Sequence, residues 1–348
     1  MRVLVVGLGG IGQRHLRNLR VLLGPEAELS AFRVRGLNLT FTDQLEIEPD
    51  TEVGAKYGVQ VFQDLADALA TKPEIAFICN PTSLHIPVAL RLAQEGCHLF
   101  IEKPVSHSLE GIEELLAILK IKGLVSMVGY QLRFHPLLLK LREWINDYRL
   151  GRIVAVRAEV GEYLPGWHRY EDYRQMYASR ADLGGGVVLS QIHEIDYLGW
   201  LFGWPHRVFA VGGHLSRLEV DVEDTASLIL ETTVEGRSIP IHLHMDYVQR
   251  PPSRTCQVIG DAGKAVMDLR ASTATLYDDC GNTLETVSRS GFPRNQLFLD
   301  EVSCFLDCVS RRTPSPCNLR EGLRSLKVAL AAKASLVSGL PVTVEEGP

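Results

Sequence analysis

Residues 1–15 read MRVLVVGLGGIGQRH, a short apolar strand that runs into Gly7, Gly9 and Gly12 in a G-x-G-x-x-G spacing and then into helical periodicity. Few local patterns restrict a fold so strongly. Gly7 permits a tight turn, Gly9 lets a pyrophosphate approach the backbone, and Gly12 lets the helix pack against the sheet. Gly10 and Ile11 open the helix, whose free amides and dipole suit phosphate, and Arg14 can add a charge contact. The spacing alone is a weak signal. With a strand before it and a helix after it, inside a β-α-β unit, it predicts a dinucleotide site.

The next hundred residues extend that unit. Strands are expected over 28–33 and 58–62, and Asp64 caps a helix reaching residue 70. EIAFICNP and CHLFIEKP read as further strands around the helix SLHIPVALRLAQEG. A helix over 109–122 and the strand LVSMVG close the series. Strands separated by helices of this length predict a doubly wound parallel sheet. Residues 36–55, around the acidic DQLEIEPDTE, read as a solvated loop.

From Arg152 the texture changes. IVAVRAEV, RVFAVGGHL, TASLILETTV, SIPIHLHMDYV, TCQVIG, KAVMDL and TATLYD are strand-like, and turn residues join several of them. They predict a second α/β domain with a large, mostly antiparallel sheet and helices over 187–201, 296–310 and 319–337. The expected division is a nucleotide-binding Rossmann domain over 1–122 and a second, substrate-binding α/β domain over 123–348, with one strand shared.

Composition narrows the partners. The 348-residue chain carries a net charge of −6, so it lacks the basic footprint of a nucleic-acid binder. No apolar run reaches the ~18 residues of a membrane span. The opening residues do not continue as a signal peptide. Seven cysteines without a C-x-x-C pair read as buried thiols of a cytoplasmic protein. Cys304 and Cys308, one helical turn apart, and His242 and His244, alternating on a strand, lack the further ligands of a metal site.

Three stretches carry the chemistry. The second strand ends LSAFRVRG, with no acid for ribose hydroxyls. Arg33 and Arg35 stand there and suit a 2′-phosphate, so NADP is expected ahead of NAD. FIEKP ends another parallel strand, which directs Lys103 to the cofactor crevice, where a lysine can orient a substrate hydroxyl and shuttle its proton. GYQLRFHP and GWHRYEDYRQMYASRADLGGG supply Tyr130, Arg133, His168, Tyr173 and Arg180. Aromatic faces suit a sugar ring, and arginine forks suit an acidic group.

Together, the glycine turn, NPTSLH (80–85), EKP and LGGGVVLSQIHEIDYL (183–198) resemble the Gfo/Idh/MocA family, in the right order along most of the chain. The resemblance implies a Rossmann domain, an open antiparallel sheet that assembles a homodimer or homotetramer, and NAD(P)-dependent oxidation or reduction of a sugar or cyclitol carbon. It implies that Lys103 is the catalytic lysine and that His193 assists proton transfer and orients substrate. It further places Asn80, Pro81, Thr82 and His85 on the turn along the cofactor, with Glu102 beside it. The aromatic segment before residue 183 resembles members acting on bacterial surface amino sugars, which implies a sugar or nucleotide-sugar substrate. Many members carry aspartate four residues before the histidine. Here Leu189 holds that position and Ser190 follows it, so the helper of His193 stays open. Two rival activities also stay open: a redox-neutral, NAD-using glycosidase or lyase, and a non-catalytic NADP sensor.

Overall fold

A computed structural model describes residues 1–34, 39–42, 46–49, 51–168 and 170–345. The chain opens with β1 (Arg2–Val6), α1 (Gly10–Leu23) and β2 (Glu28–Phe32). A short hairpin, β3 (Thr40–Phe41) and β4 (Ile47–Glu48), and α2 (Val53–Tyr57) follow. Then come β5 (Gln60–Phe62), α3 (Leu65–Ala70), β6 (Ile75–Ile78), α4 (His85–Gln94), β7 (His98–Glu102), α5 (Ile112–Lys122) and β8 (Ser126–Gly129). Asp64 caps α3 by accepting the Ala66 N–H at 2.6 Å.

Six of these strands form one sheet in the order β5-β2-β1-β6-β7-β8, and every pair is parallel. Helices enclose the central strands, so β1 and β6 are almost wholly apolar and buried. The strand order reverses between β1 and β6, and ligands enter such sheets at that crevice, beyond the carboxyl ends.

The expected loop over 36–55 is instead partly structured. The Gln13 side chain, fully buried in α1, donates to Leu39 O at 2.8 Å and accepts the Phe41 N–H at 2.9 Å. The hairpin is held by this tertiary clamp; two-residue strands have no periodicity to read.

The second half runs α6 (Pro136–Asn146), β9 (Ile153–Gly161), α7 (Val187–Ser190), α8 (His193–Phe202), β10 (Arg207–Gly213), β11 (Thr225–Val234), β12 (Arg237–Asp246) and β13 (Ser253–Gly260). It ends with β14 (Gly263–Asp268), β15 (Thr273–Asp278), β16 (Thr283–Ser288), α9 (Arg294–Arg311), α10 (Leu319–Ser338) and β17 (Val342–Thr343). Nine strands form a second sheet, β16-β15-β14-β13-β9-β12-β11-β10-β17, in which β12 pairs parallel with β9 and the other pairs are antiparallel. Ala226, Leu228 and Leu230 of β11 face the helices, whereas Val154, Val211 and Ile229 lie exposed on the opposite face. The edge strand β16 is only partly buried, so it offers no apolar alternation in sequence.

The chain's far end returns to the first sheet. Helix α9 lies across α1 and β8, and Phe305 sets its ring edge against Phe77 and Phe100, at 5.8 and 5.6 Å between centroids. Beyond α9, Cys317 O accepts the Val128 N–H at 2.8 Å, and the Ser315 hydroxyl donates to Ser126 O at 2.6 Å. The first sheet therefore extends past residue 122, and residues 315–319 seal its edge. Five cysteines are buried, Cys304 is half-buried and Cys280 is exposed; all are free thiols.

Candidate active site

The glycine turn divides its labour. A Cβ on Gly7 would sit 2.8 Å from Asn80 N, and one on Gly12 would sit 1.9 Å from Gly7 O, so packing alone demands both glycines. A Cβ on Gly9 would meet nothing within 4 Å. Its open face lies at the N-terminus of α1, whose first turn, starting at Gly10 and Ile11, carries no acid. That cradle fits a pyrophosphate. Arg33 follows β2 and is half-buried, and its N–H donates to Phe62 O at 3.1 Å. Arg35 lies outside the described residues.

Pro81 caps a 3-10 turn (Thr82–Leu84) beside the crevice. Asn80 donates from Nδ2 to Leu84 O at 3.3 Å, while its buried Oδ1 has no protein partner. A buried acceptor without a partner calls for a donor, and a cofactor ribose hydroxyl would fit it. The two ring nitrogens of His85 lie 2.9 Å from Asn80 O and Pro104 O, tying this turn to the one after Lys103. Thr82 is buried, and Gly184 lies close against it.

Lys103 follows β7 of the first sheet, and it reaches the segment just before His193, the first residue of α8 in the second half. The half-buried Lys103 ammonium donates to Ser190 O at 2.7 Å. That carbonyl is thereby taken from the helical ladder, and the expected helix over 187–201 breaks into α7 and α8, with His193 as the first residue of α8. Spacing arguments that assume one continuous helix, including the position four residues before His193, therefore fail. Leu189 is buried, and among the described residues the Ser190 hydroxyl and His193 Nδ1 are buried without a hydrogen-bond partner. The Gln131 amide N–H donates to His193 Nε2 at 3.3 Å, and the edge of the Tyr130 ring packs on the imidazole at 5.8 Å. Burial, then the charges of Lys103, Arg254 and Arg294, hold the His193 pKa well below the usual histidine range.

Glu102 turns toward the core. It sits 2.7 Å from His15 Nε2 and accepts the Lys103 N–H at 3.3 Å. Glu301 of α9 completes a buried group in which one nitrogen and two carboxyl groups lie within 4.8 Å. Neither Glu301 oxygen has a hydrogen-bond partner among the described residues. Burial, then the charge of Glu102, pushes its pKa well above the ordinary glutamate range. A raised folded-state value means that this contribution is full below the unfolded value and is lost as pH rises toward the folded one. Glu301→Gln should therefore flatten the alkaline decline of stability in urea unfolding series across pH. A variant with an unchanged pH slope would show Glu301 to be ionised throughout.

The predicted substrate residues are only partly available. Arg133 forks onto Asp196 at 2.7 and 2.8 Å, both groups almost fully buried, so its guanidinium serves the chain's own carboxylate. Arg180 is paired with Asp182, and Tyr173 OH accepts the Glu219 N–H. Tyr130 is wholly buried beneath His193. His168 Nδ1 lies 2.9 Å from Glu171, its ring stacks on Tyr170, and Tyr170 packs on Phe41 of the first module at 4.3 Å. Gln131 and Arg254 escape sequence reasoning, because their turn and strand converge on His193 only in the fold, and the role of the Ser190 carbonyl as the acceptor of Lys103 escapes it too. His244 bonds Ser227 and Asp246 on an open strand face, a polar arrangement that a lone pair of histidines permits.

A Rossmann sheet with a phosphate-fitting turn, joined to a module that sets an imidazole beside its lysine, is the construction of a nicotinamide-nucleotide oxidoreductase. Residues 1–130 match the oxidoreductase family with NAD-binding Rossmann fold, and residues 138–266 match the GFO/IDH/MocA C-terminal domain. The chain belongs to the GFO/IDH/MocA family. It is 25% identical to myo-inositol 2-dehydrogenase of Thermotoga maritima over 99% of both chains. It is 24% identical to the uncharacterized oxidoreductase YrbE of Bacillus subtilis over 98% of this chain and 96% of the other. Its fold matches the WlbA dehydrogenase from Bordetella pertussis, solved with NADH and UDP-GlcNAcA, with a TM-score of 0.79 at 23% identity, covering 100% and 99% of the two chains. No helix among the described residues is long and apolar enough to cross a membrane.

Proposed function

We propose that the chain is an NADP-preferring dehydrogenase or reductase that acts on a secondary alcohol, or its ketone, of a sugar-like substrate. The observation that carries this reading is the Lys103 ammonium docked on Ser190 O, three residues before His193, with its charge acting on the imidazole. A bound nicotinamide would supply or accept the hydride.

The amides at the start of α1 would hold its phosphates, and Asn80 and Thr82 would lie along its ribose. The neutral amine of Lys103 would take the proton of the substrate hydroxyl and become the ammonium, and the ammonium would return that proton in the reverse direction. The Gln131 N–H on Nε2 leaves the proton of a neutral His193 on Nδ1, a buried nitrogen that would donate to a substrate oxygen only once binding opens the junction around it. The burial of His193 and Tyr130 keeps bulk water from the imidazole.

The test is a panel of sugars, amino sugars and cyclitols with NAD and NADP, followed by the near-ultraviolet absorbance of reduced cofactor. Stoichiometric cofactor turnover is expected. Substrate consumed without net absorbance change would replace the reading with redox-neutral chemistry, and cofactor binding without any turnover would replace it with a sensor. For the cofactor, the Arg33→Ala, Arg35→Ala double variant should lose about tenfold or more in NADP affinity and little in NAD affinity. Equal losses in fluorescence titrations would remove the preference.

A further inference from the structure

We propose that residues 170–184 form a strap across the mouth of the nucleotide crevice, and that the contact of Tyr170 with Phe41 is a clasp that opens before a nicotinamide nucleotide enters or leaves. The inference rests on the nucleotide-binding reading of the crevice and adds the control of its exchange.

The body of the strap is pinned to the second half of the chain. Asp172 opens a 3-10 turn (Tyr173–Gln175) by accepting the Arg174 N–H at 3.0 Å. The Arg174 guanidinium pairs with Asp172 and Glu219, at 2.7 and 2.9 Å. Further along, the Ala181 N–H donates to the Asp221 carboxylate at 2.7 Å, and the Tyr247 hydroxyl donates to Ala178 O at 3.3 Å. Met176, Ala178 and Ser179 are buried. The two ends of the strap instead meet the first half. Tyr170 sets its ring against Phe41 at 4.3 Å between centroids, and His168 stacks on the same Tyr170 ring at 5.1 Å. At the other end Gly184 has a φ of +80°, and a Cβ there would stand 3.0 Å from Thr82 Cβ and 2.8 Å from His107 Cβ. Glycine therefore lets the backbone lie directly on the turn after β6.

These footholds stand on opposite flanks of the glycine turn. The sheet runs β2-β1-β6, and the turn follows the middle strand. Phe41 lies on the β2 side, where its N–H is held at 2.9 Å by Gln13 in the first turn of α1. Thr82 lies on the β6 side, two residues after Asn80, against whose N–H Gly7 packs. A chain that joins Tyr170 to Gly184 therefore passes the Gly9 cradle, outside the carboxyl ends of the strands where a nucleotide enters. Phe41 moves with α1 and the strap moves with the second half, so parting the two rings widens the gap over the cradle. An aromatic pair biases such an equilibrium by about three- to tenfold, enough to favour closure and too little to lock it. A loop that sequesters a site and still releases its ligand needs a bias of that order.

The test mixes the full-length protein with NADPH, and separately with NADH, in a stopped-flow fluorimeter and then displaces the nucleotide with excess oxidised cofactor. Tyr170→Ala and Phe41→Ala should each speed association and release about three- to tenfold, and the double variant should be no faster than the faster single one. The clasp joins protein to protein, so affinity should stay within about twofold of wild type. Tyr170→Phe keeps the ring and should exchange nucleotide at the wild-type rate. A thermal melt shows whether Phe41→Ala has lost its hairpin, and the Tyr170 variants then decide alone. Unchanged rates in Tyr170→Ala overturn the proposal. So does faster release with unchanged association, which would make Tyr170 a direct contact of the bound nucleotide, and so do additive effects in the double variant. Failure here is separable from failure of the redox reading. Normal sugar turnover with exchange indifferent to Tyr170 sinks the strap alone, and clasp-dependent exchange in a protein without any redox turnover sinks the dehydrogenase reading alone. A protein that binds neither nucleotide ends both.

Discussion

Lys103→Ala is expected to slow hydride transfer at least about a hundredfold, within the range that general acid–base groups contribute. Cofactor affinity should change little, because the phosphate cradle at Gly9 and the 3-10 turn after Pro81 owe nothing to the lysine side chain. The variant also removes the ammonium from Ser190 O, so a local rearrangement of the junction between α7 and α8 is expected alongside the chemical loss. The two effects separate experimentally. Single-turnover stopped-flow traces report the hydride step, nucleotide fluorescence titration reports binding, and a thermal melt reports the rearrangement. A wild-type rate in the variant removes Lys103 from the reaction.

A second large effect is expected at the glycine turn, where one added methyl group separates folding from binding. In Gly12→Ala the new Cβ meets the backbone oxygen of Gly7 at 1.9 Å, and no side-chain rotation relieves it. Helix α1 must move away from the turn, at a cost of about 1–3 kcal/mol. Its first amides leave their places, so nucleotide affinity should drop about a hundredfold. Gly9→Ala is the counterpart. Its Cβ has room and its φ of −70° suits alanine, so stability should hold within about 1 kcal/mol. The methyl group fills the space left for the ligand, so affinity should still fall. Urea unfolding together with nucleotide titration on both variants decides the matter. A Gly12→Ala protein that folds and binds as wild type would mean that the turn is far more pliable than its contacts imply.

The parts of the molecule that were readable in the sequence are those governed by local pattern. The glycine turn, the alternation of strand and helix to residue 122, the Asp64 cap and the strands of the second sheet all follow from spacing and periodicity. The placement of Lys103 at a strand's carboxyl end and of His193 after a glycine entry was also legible. What escaped depends on distant partners. The break before His193 exists because a lysine from another sheet claims the Ser190 carbonyl. The β3–β4 hairpin exists because Gln13 holds it. The carboxylates that neutralise Arg133, Arg174 and Arg180 are ordinary acids in sequence, and only the fold shows that they, rather than a ligand, hold those guanidinium groups. Glu301 sits on a helix whose periodicity announces a core face but not which foreign strand it covers.

The return of the C-terminal segment to β8 bears on how the gene can be divided. A fragment ending near residue 130 would hold all six strands of the nucleotide sheet and most of its helices. It would nonetheless expose the Phe77 and Phe100 rings where Phe305 belongs, and would leave Val128 N–H with no carbonyl to meet. Such a cassette should come out of cells as aggregate, and the intact polypeptide should melt in a single calorimetric peak. Swapping substrate halves among relatives would then succeed only if the last fifty residues stay with the amino-terminal partner.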